Sequence, residues 1–207
     1  MTLLKGMLLS FSDPLLGLIP TIVVFQYNPT DVTRVFAHVA ARGETSDKRA
    51  VGAPPSEDYS VKLELDATDG LETGGPLTKT FGISPRLAAI EMLMQPVGSS
   101  FLGGLVGDLL GGGGGGAQIP PTRLPLIFFA WGPTRITPVI LKSLTIRETA
   151  FDDLLNPIHA TADLGMTVLR KQDLPGETVA QAAADFYSAA REVKAVLQLP
   201  QMIELGG

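Results

Sequence analysis

The side chains able to do chemistry in this 207-residue sequence are few and scattered. There is no cysteine, so a thiol nucleophile, a disulfide and a zinc-thiolate site are all excluded. The two histidines, His38 and His159, are too few for a multi-histidine metal centre. His159 has Asp163 four residues on, the start of a triad, but no G-x-S-x-G elbow supplies a nucleophile. Ser84 stands in Gly82-Ile83-Ser84-Pro85, where it reads as a helix cap. Asp152-Asp153 and Asp66/Asp69 lack the alternating oxygen ligands and closing Glu of a calcium loop, and read as turn caps. The run Gly111–Gly116 has no following GK[ST] and no helix to hold a phosphate. Trp131, the single Trp, closes an apolar segment and reads as core or turn packing. Catalytic, cofactor and metal residues are therefore expected to be absent.

Charge and hydropathy point elsewhere. The net charge is −5, and no Lys/Arg run offers a nucleic-acid surface. Mean hydropathy is +0.25. The apolar stretch near the N-terminus is broken by Lys5, Asp13 and Pro14, short of the about 20 residues a spanning helix needs. It also lacks the cleavage site of a signal peptide. Phe101–Leu110 is short and glycine-rich. High hydropathy with few charges then implies surface buried against other copies of the chain. A chain of this length buries roughly 70% of its unfolded surface, enough for a core without staples.

The elements that would position these residues are mainly strands. Thr21–Tyr27 (TIVVFQY) reads as a buried strand stopped by Asn28-Pro29. Asp31–Val39 continues as extended or mixed chain, and Ala41–Ser56, with Gly43, Gly52, Pro54 and Pro55, reads as a solvated loop. In Tyr59–Asp66, Tyr59, Val61, Leu63 and Leu65 alternate with polar residues, the pattern of an antiparallel sheet with one wet face. Asp69-Gly70 and Gly74-Gly75 mark turns. Ser84 as N-cap and Pro85 open a helix with the stripe Leu87, Ile90, Leu93 and Met94. Residues 97–119 read as a flexible glycine-rich insertion. Pro125–Trp131 is a strand covered on both sides. In Arg135–Glu148 the apolar parity switches between Leu141 and Leu144, which predicts a bulge near Ser143. His159–Arg170 alternates again and forms a hairpin-like pair with the preceding strand. Val179, Ala182, Ala183, Phe186, Ala189, Ala190, Val193 and Leu197 recur at helical spacing, predicting a C-terminal amphipathic helix of 18–20 residues packed by that stripe.

Several landmarks resemble one family in order. Phe25-Gln26-Tyr27-Asn28-Pro29 resembles an F-x-[FY]-N-P signature. Pro125–Gly132 resembles a P-x-x-x-F-x-W-G strand, Leu144–Phe151 its following strand, and Asn156-Pro157-x-x-Ala160 its turn into the last strand. The family is the tube-protein N-terminal domain of contractile injection systems, which are phage-tail-like particles. The resemblance covers about Lys5 to Arg170 and implies a mainly β (α+β), tail-tube-like β-barrel or sandwich with a flanking helix over 1–172. A C-terminal helical extension then covers 173–207.

The resemblance further implies a structural role without catalysis or cofactor: a homo-oligomeric ring, a hexamer in the family, joining the spike to the inner tube or a second adaptor ring. It implies contact with other baseplate components, assembly in the bacterial cytoplasm, and no nucleic-acid partner or direct membrane insertion. Phe25, Tyr27, Asn28, Pro29, Trp131, Gly132, Phe151, Asn156, Pro157 and Ala160 carry the resemblance and are expected to hold the fold. Many members continue into a LysM module. Here Leu174–Val179 is only faintly like its opening, and the rest does not follow. The main inner-tube subunit is the nearest rival role; a small-ligand-binding barrel is a more distant one.

Overall fold

Six of the described strands send residues into one core, and the sheet curls around it. The computed structural model describes residues 4–10, 21–40, 51–96 and 123–205. Seven antiparallel strands form one sheet: β1 (Met7–Ser10), β2 (Thr21–Val24), β3 (Val32–Ala40), β4 (Val51–Asp66), β5 (Ile127–Ala130), β6 (Ile136–Phe151) and β7 (Pro157–Val168). Their order is β2-β1-β5-β6-β7-β4-β3. Helices α1 (Thr68–Glu72), α2 (Pro76–Phe81), α3 (Ser84–Met92) and α4 (Thr178–Leu205) complete the mainly β, α+β fold.

One core takes the inward residues of six strands. Tyr59, Val61, Leu63 and Leu65 of β4 meet Ala160, Ala162, Leu164 and Met166 of β7, Val139 and Leu141 of β6, and Ile127 and Phe129 of β5. The alternation read in β4 and β7 is thus the core face. In a flat sheet β4 and β5 would lie three strand spacings apart, about 14 Å. Yet the Tyr59 and Phe129 rings stand 5.2 Å apart between centroids. Phe129 stacks on Trp131 at 6.1 Å, and Phe25 tilts against both. The sheet therefore wraps around a chain of aromatic rings.

Closure comes at β2 and β4, five spacings apart in the order and about 24 Å apart if flat. The Gln26 side-chain oxygen accepts from the Asp66 backbone N–H at 3.0 Å and from Arg86 Nη1 at 2.6 Å. Its amide nitrogen donates to Asp69 at 3.3 Å. Helix α3 sends Leu87, Ile90 and Leu93 into the same core, so the helical stripe read from sequence is its buried face.

The bulge predicted near Ser143 is present, as a register shift between Leu141 and Ser143 against β7. Gly165 lies opposite, where a Cβ would collide with the Ser143 hydroxyl. Strand β5 is buried on both sides, as its unbroken apolar run implied.

Other expectations are corrected. The described part of the expected loop 41–56, Val51–Ser56, is strand. Pro54 and Pro55 fall where the β3 register slips between Ala37/Ser56 and Val39/Ala53, so their missing N–H groups cost no regular ladder bond. Asp69-Gly70 lies inside α1 rather than in a turn. Ser84 is the first helical residue of α3, not its cap; Ile83 takes the cap position without a side-chain bond. Helix α4 runs 28 residues, well beyond the 18–20 expected. The glycine-rich insertion 97–119 and residues 41–50 lie outside the described residues.

Gly82 fixes how the helices meet the sheet. Its φ is +57°, and a Cβ there would run into the Pro157 carbonyl, which accepts from the Ile83 N–H at 2.8 Å. Gly82→Ala is expected to cost roughly 2–4 kcal/mol, strain plus collision. Urea unfolding measures it; a loss under about 0.5 kcal/mol, the usual range of a neutral surface change, would contradict this geometry.

Candidate assembly surface

Helix α4 is alanine-rich, and its two faces differ. Small residues on the inner face, Ala180 and Ala184, allow close approach to Phe128 on the outer side of β5 and to Leu174. Tyr187 and Arg191 continue that face at helical spacing. Before the helix, Asp173 accepts from the Arg170 N–H at 3.0 Å, and Gln181 donates to the Leu174 carbonyl at 2.7 Å. Lys171 pairs with Asp185 at 2.6 Å.

The anchor of α4 is a buried carboxylate. Glu57, at 5% exposure, sits on β4 two residues before Tyr59. Its Oε1 accepts from Arg34 Nε at 2.9 Å, Arg34 Nη2 at 2.6 Å and the Tyr187 hydroxyl at 2.7 Å. Its Oε2 accepts from Arg191 Nη1 at 2.9 Å. Since Tyr187 donates to Glu57, Tyr59 donates in turn to the Tyr187 oxygen, 2.7 Å away. Both guanidinium groups lie over the Phe36 ring, Arg34 at 4.9 Å and Arg191 at 5.1 Å from its centroid. One site thus joins β3, β4 and α4.

The electrostatics favour anchoring over reaction. Burial pushes the Tyr59 hydroxyl far above the ordinary tyrosine range, with the Tyr187 hydrogen bond and the Glu57 charge adding to it. Burial also raises Tyr187, helped by Glu57. For Arg34, burial works against the charge and is the largest single influence, but the Glu57 hydrogen bond together with the Tyr59, Glu57 and Tyr187 charges outweighs it, and the pKa is raised. An activated nucleophile needs a lowered pKa or an adjacent free base. These hydroxyls are held neutral, and both Glu57 oxygens are engaged.

The stripe expected to pack α4 onto the protein instead faces outward. Val179 is 74% exposed and Phe186 50%, and Val193, Val196 and Leu197 are exposed with them. Val179, Phe186 and Val193 recur every seven residues, as do Ala182, Ala189 and Val196, the a and d spacing of a helix–helix seam. The inner face wins the sheet because alanines permit close contact and Tyr187 and Arg191 reach Glu57.

The family-resemblance residues hold joints. Phe25 is core, and Ala160 is fully buried opposite Leu65. Asn28 extends the β1–β2 ladder with its side chain, accepting from the Gly6 N–H at 2.9 Å and donating to the Leu4 carbonyl at 2.8 Å. Pro29 follows, half-buried. A Cβ on Gly6 would lie 2.7 Å from both the Phe25 and Trp131 rings. Trp131 is half-buried against the core, and Gly132 takes φ +78° in the turn closed by the Trp131 N–H to the Arg135 carbonyl. Asn156 donates to Asp152 at 2.9 Å and to the Thr80 carbonyl at 3.2 Å, tying the β6–β7 turn to α2. Pro157 ties it to α3 through Ile83. Tyr27 and Phe151 are different: both are largely exposed. Gln26 and Glu57 were not singled out from sequence. Gln26 lies between Phe25 and Tyr27 in the segment that resembles F-x-[FY]-N-P; Glu57 carries no local signal.

His159 finds Thr149 at 2.6 Å and Glu64 at 3.2 Å on the wet outer face, not a serine. Asp152 caps its turn, accepting from the Leu154 and Asn156 N–H groups, and its hydrogen bond from the Asn156 side chain holds its pKa low. Among the described residues no cluster of three or more His, Asp or Glu is placed to hold a metal, and no helix is long and apolar enough to cross a membrane. The chain matches no protein-family model and no curated protein sequence.

Glu57→Gln is expected to release α4 and cost roughly 2–4 kcal/mol, below a fully buried pair because Arg191 is half in water. Hydrogen exchange should rise first across residues 180–198; unchanged exchange there would refute the anchor. Alkali should act on the same joint. Tyr59 and Tyr187 have raised folded pKa values, so their contribution is complete below pH about 10 and falls as the pH rises further. Tyr187→Phe should flatten that alkaline loss in pH-dependent urea melts.

Proposed function

We propose that this protein is a structural adaptor at the base of a contractile injection tube, forming a ring that joins the spike to the inner tube. The family resemblance over Lys5–Arg170 supplies the particle. The observation that carries the assembly role is α4: it is pinned by Glu57 on one face and offers an apolar, heptad-spaced stripe to solvent on the other. Monomers rarely expose contiguous apolar surface on that scale without a partner.

A second feature supports the ring. Among the described residues β3 pairs only with β4, and it exposes Val35 and Phe36. An unpaired edge of nine residues invites aggregation unless another element covers it. Strand addition from a neighbouring copy would do so and would extend the curled sheets around a lumen. The core of each copy is filled by side chains, so any channel would lie between copies.

In this reading the copies assemble in the cytoplasm, with six per ring carried by the resemblance. One ring face meets the spike and the other templates the first tube layer. The test is electron microscopy of particles from producing cells with the gene deleted. Loss of assembled tube and sheath is the expected result. Complete particles would overturn the adaptor role, and long tubes formed by the purified chain alone would favour the main-tube role instead.

A further inference from the structure

Strand β2 has one paired edge and one bare edge. The Phe25 N–H donates to the Gly6 carbonyl at 2.9 Å, in register with the β1 ladder. Main-chain groups alternate sides along a strand, so Val23 and Phe25 face β1 while Ile22 and Val24 turn theirs away from it. The Gln26 carbonyl follows the same alternation: it points off the ladder and accepts from Lys5 Nζ at 3.0 Å. Among the described residues no strand pairs with β2 on that side. Exposed edges are ordinarily blunted by charge, proline or a bulge. From Thr21 to Val24 there is none of these, and Ile22 and Val24 are 51% and 52% exposed.

This bare edge has a wall opposite it. Ile22 and Val24 line a cleft of about 510 Å³ whose other side is α3, through Pro85, Arg86, Ala89 and Ile90. Gln26, Arg86 and Asp69, joined by hydrogen bonds, make its polar end. Val23 and Phe25 add buried apolar lining. A cavity of roughly 150 Å³ takes a benzene ring, so this cleft takes about three to four residues of chain. Strand β2 itself has four.

The main chain selects the occupant. A strand edge offers a donor and an acceptor at every second residue, about 7 Å apart, and an extended backbone is what repeats with that period. A strand laid beside β2 would set alternate side chains next to Val23 and Phe25, where apolar groups are needed.

We infer that the cleft between β2 and α3 binds an extended segment of a partner protein, added to β2 as a further strand, with apolar residues at alternate positions. The contact uses neither α4 nor β3, so it stands or falls apart from the ring reading.

The probe is the blocked peptide acetyl-Lys-Thr-Val-Thr-Val-Thr-Lys-amide, titrated into the full chain and followed by amide NMR. The Ile22, Val24 and Ala89 signals are expected to move together. N-methylation of one alternate set of peptide residues should weaken binding roughly tenfold, as lost main-chain donors would, while the other set changes it less than about twofold. Val24→Pro removes a cleft-facing N–H and no β1 ladder bond, a place where an edge strand tolerates proline. It should keep the native circular dichroism and bind the peptide as weakly as the N-methylated set does. Ala89→Phe, which fills the cleft from α3, should also abolish the shifts. If Val24→Pro does not fold, the two N-methylated sets decide the matter on the native chain.

No movement of these amides at millimolar peptide overturns the inference, and so does equal weakening by both N-methylated sets. Ile22 and Val24 amides that resist hydrogen exchange in the dilute free chain also overturn it, because the chain then covers its own edge. Resistance that grows with protein concentration gives the edge to a second copy and rejects a separate partner.

Discussion

A single carboxylate decides which way this protein faces the world. Glu57 is buried on β4, and a buried charge is tolerated only when paired and hydrogen-bonded. Its partners come from β3, from α4 and, through Tyr187, from the aromatic core at Tyr59. Meeting that demand draws α4 onto the sheet by its weaker apolar side. The stronger apolar side is left outside. An internal electrostatic requirement thus shapes the external surface, and the positive mean hydropathy is carried partly on that surface rather than wholly in the core.

The curl of the sheet depends on a second polar device of the same kind. Hydrogen-bonded ladders run continuously from β2 to β3, and their twist and bulges bend the sheet without fastening its two ends together. The Tyr59, Phe129, Trp131 and Phe25 rings provide the mass around which it wraps, and Gln26 fastens the seam to Asp66. Gln26 can do this because an amide offers an acceptor and a donor together. It accepts from Asp66 and Arg86 and donates to Asp69. The segment Phe25-Gln26-Tyr27-Asn28 thereby divides its labour: core ring, seam, exposed ring, ladder extension.

What could be read from the sequence follows from the range of each interaction. The alternation in Tyr59–Asp66 and the parity switch near Ser143 are local records of one face being buried, and both are found as read. The stripe of α3 is legible for the same reason. Helix α4 misleads because it has two usable faces, and periodicity ranks them by hydrophobicity alone. The selection is made by Glu57, more than a hundred residues away, together with the small size of Ala180 and Ala184. Val51–Ser56 misleads in the opposite sense, since Gly52, Pro54 and Pro55 are all loop residues by composition. A bulge beside β3 gives the prolines their place, and a bulge is set by the partner strand.

The anchor and the exposed apolar side of α4 are mechanically one. Val179 and Ala183 wall a hollow beside Phe128, while Tyr187 and Arg191, on the same helix, grip Glu57. About one to three turns separate wall from grip, and an uninterrupted helix transmits displacement along that distance. A shift in the Glu57 cluster would therefore reach the hollow's shape without any contact between the two. The coupling runs both ways: a side chain seated against Val179 adds to the forces holding α4 down, and so to the stability of the Glu57 pairings. A partner bound there would then stabilise the fold through α4, in proportion to how tightly it is held.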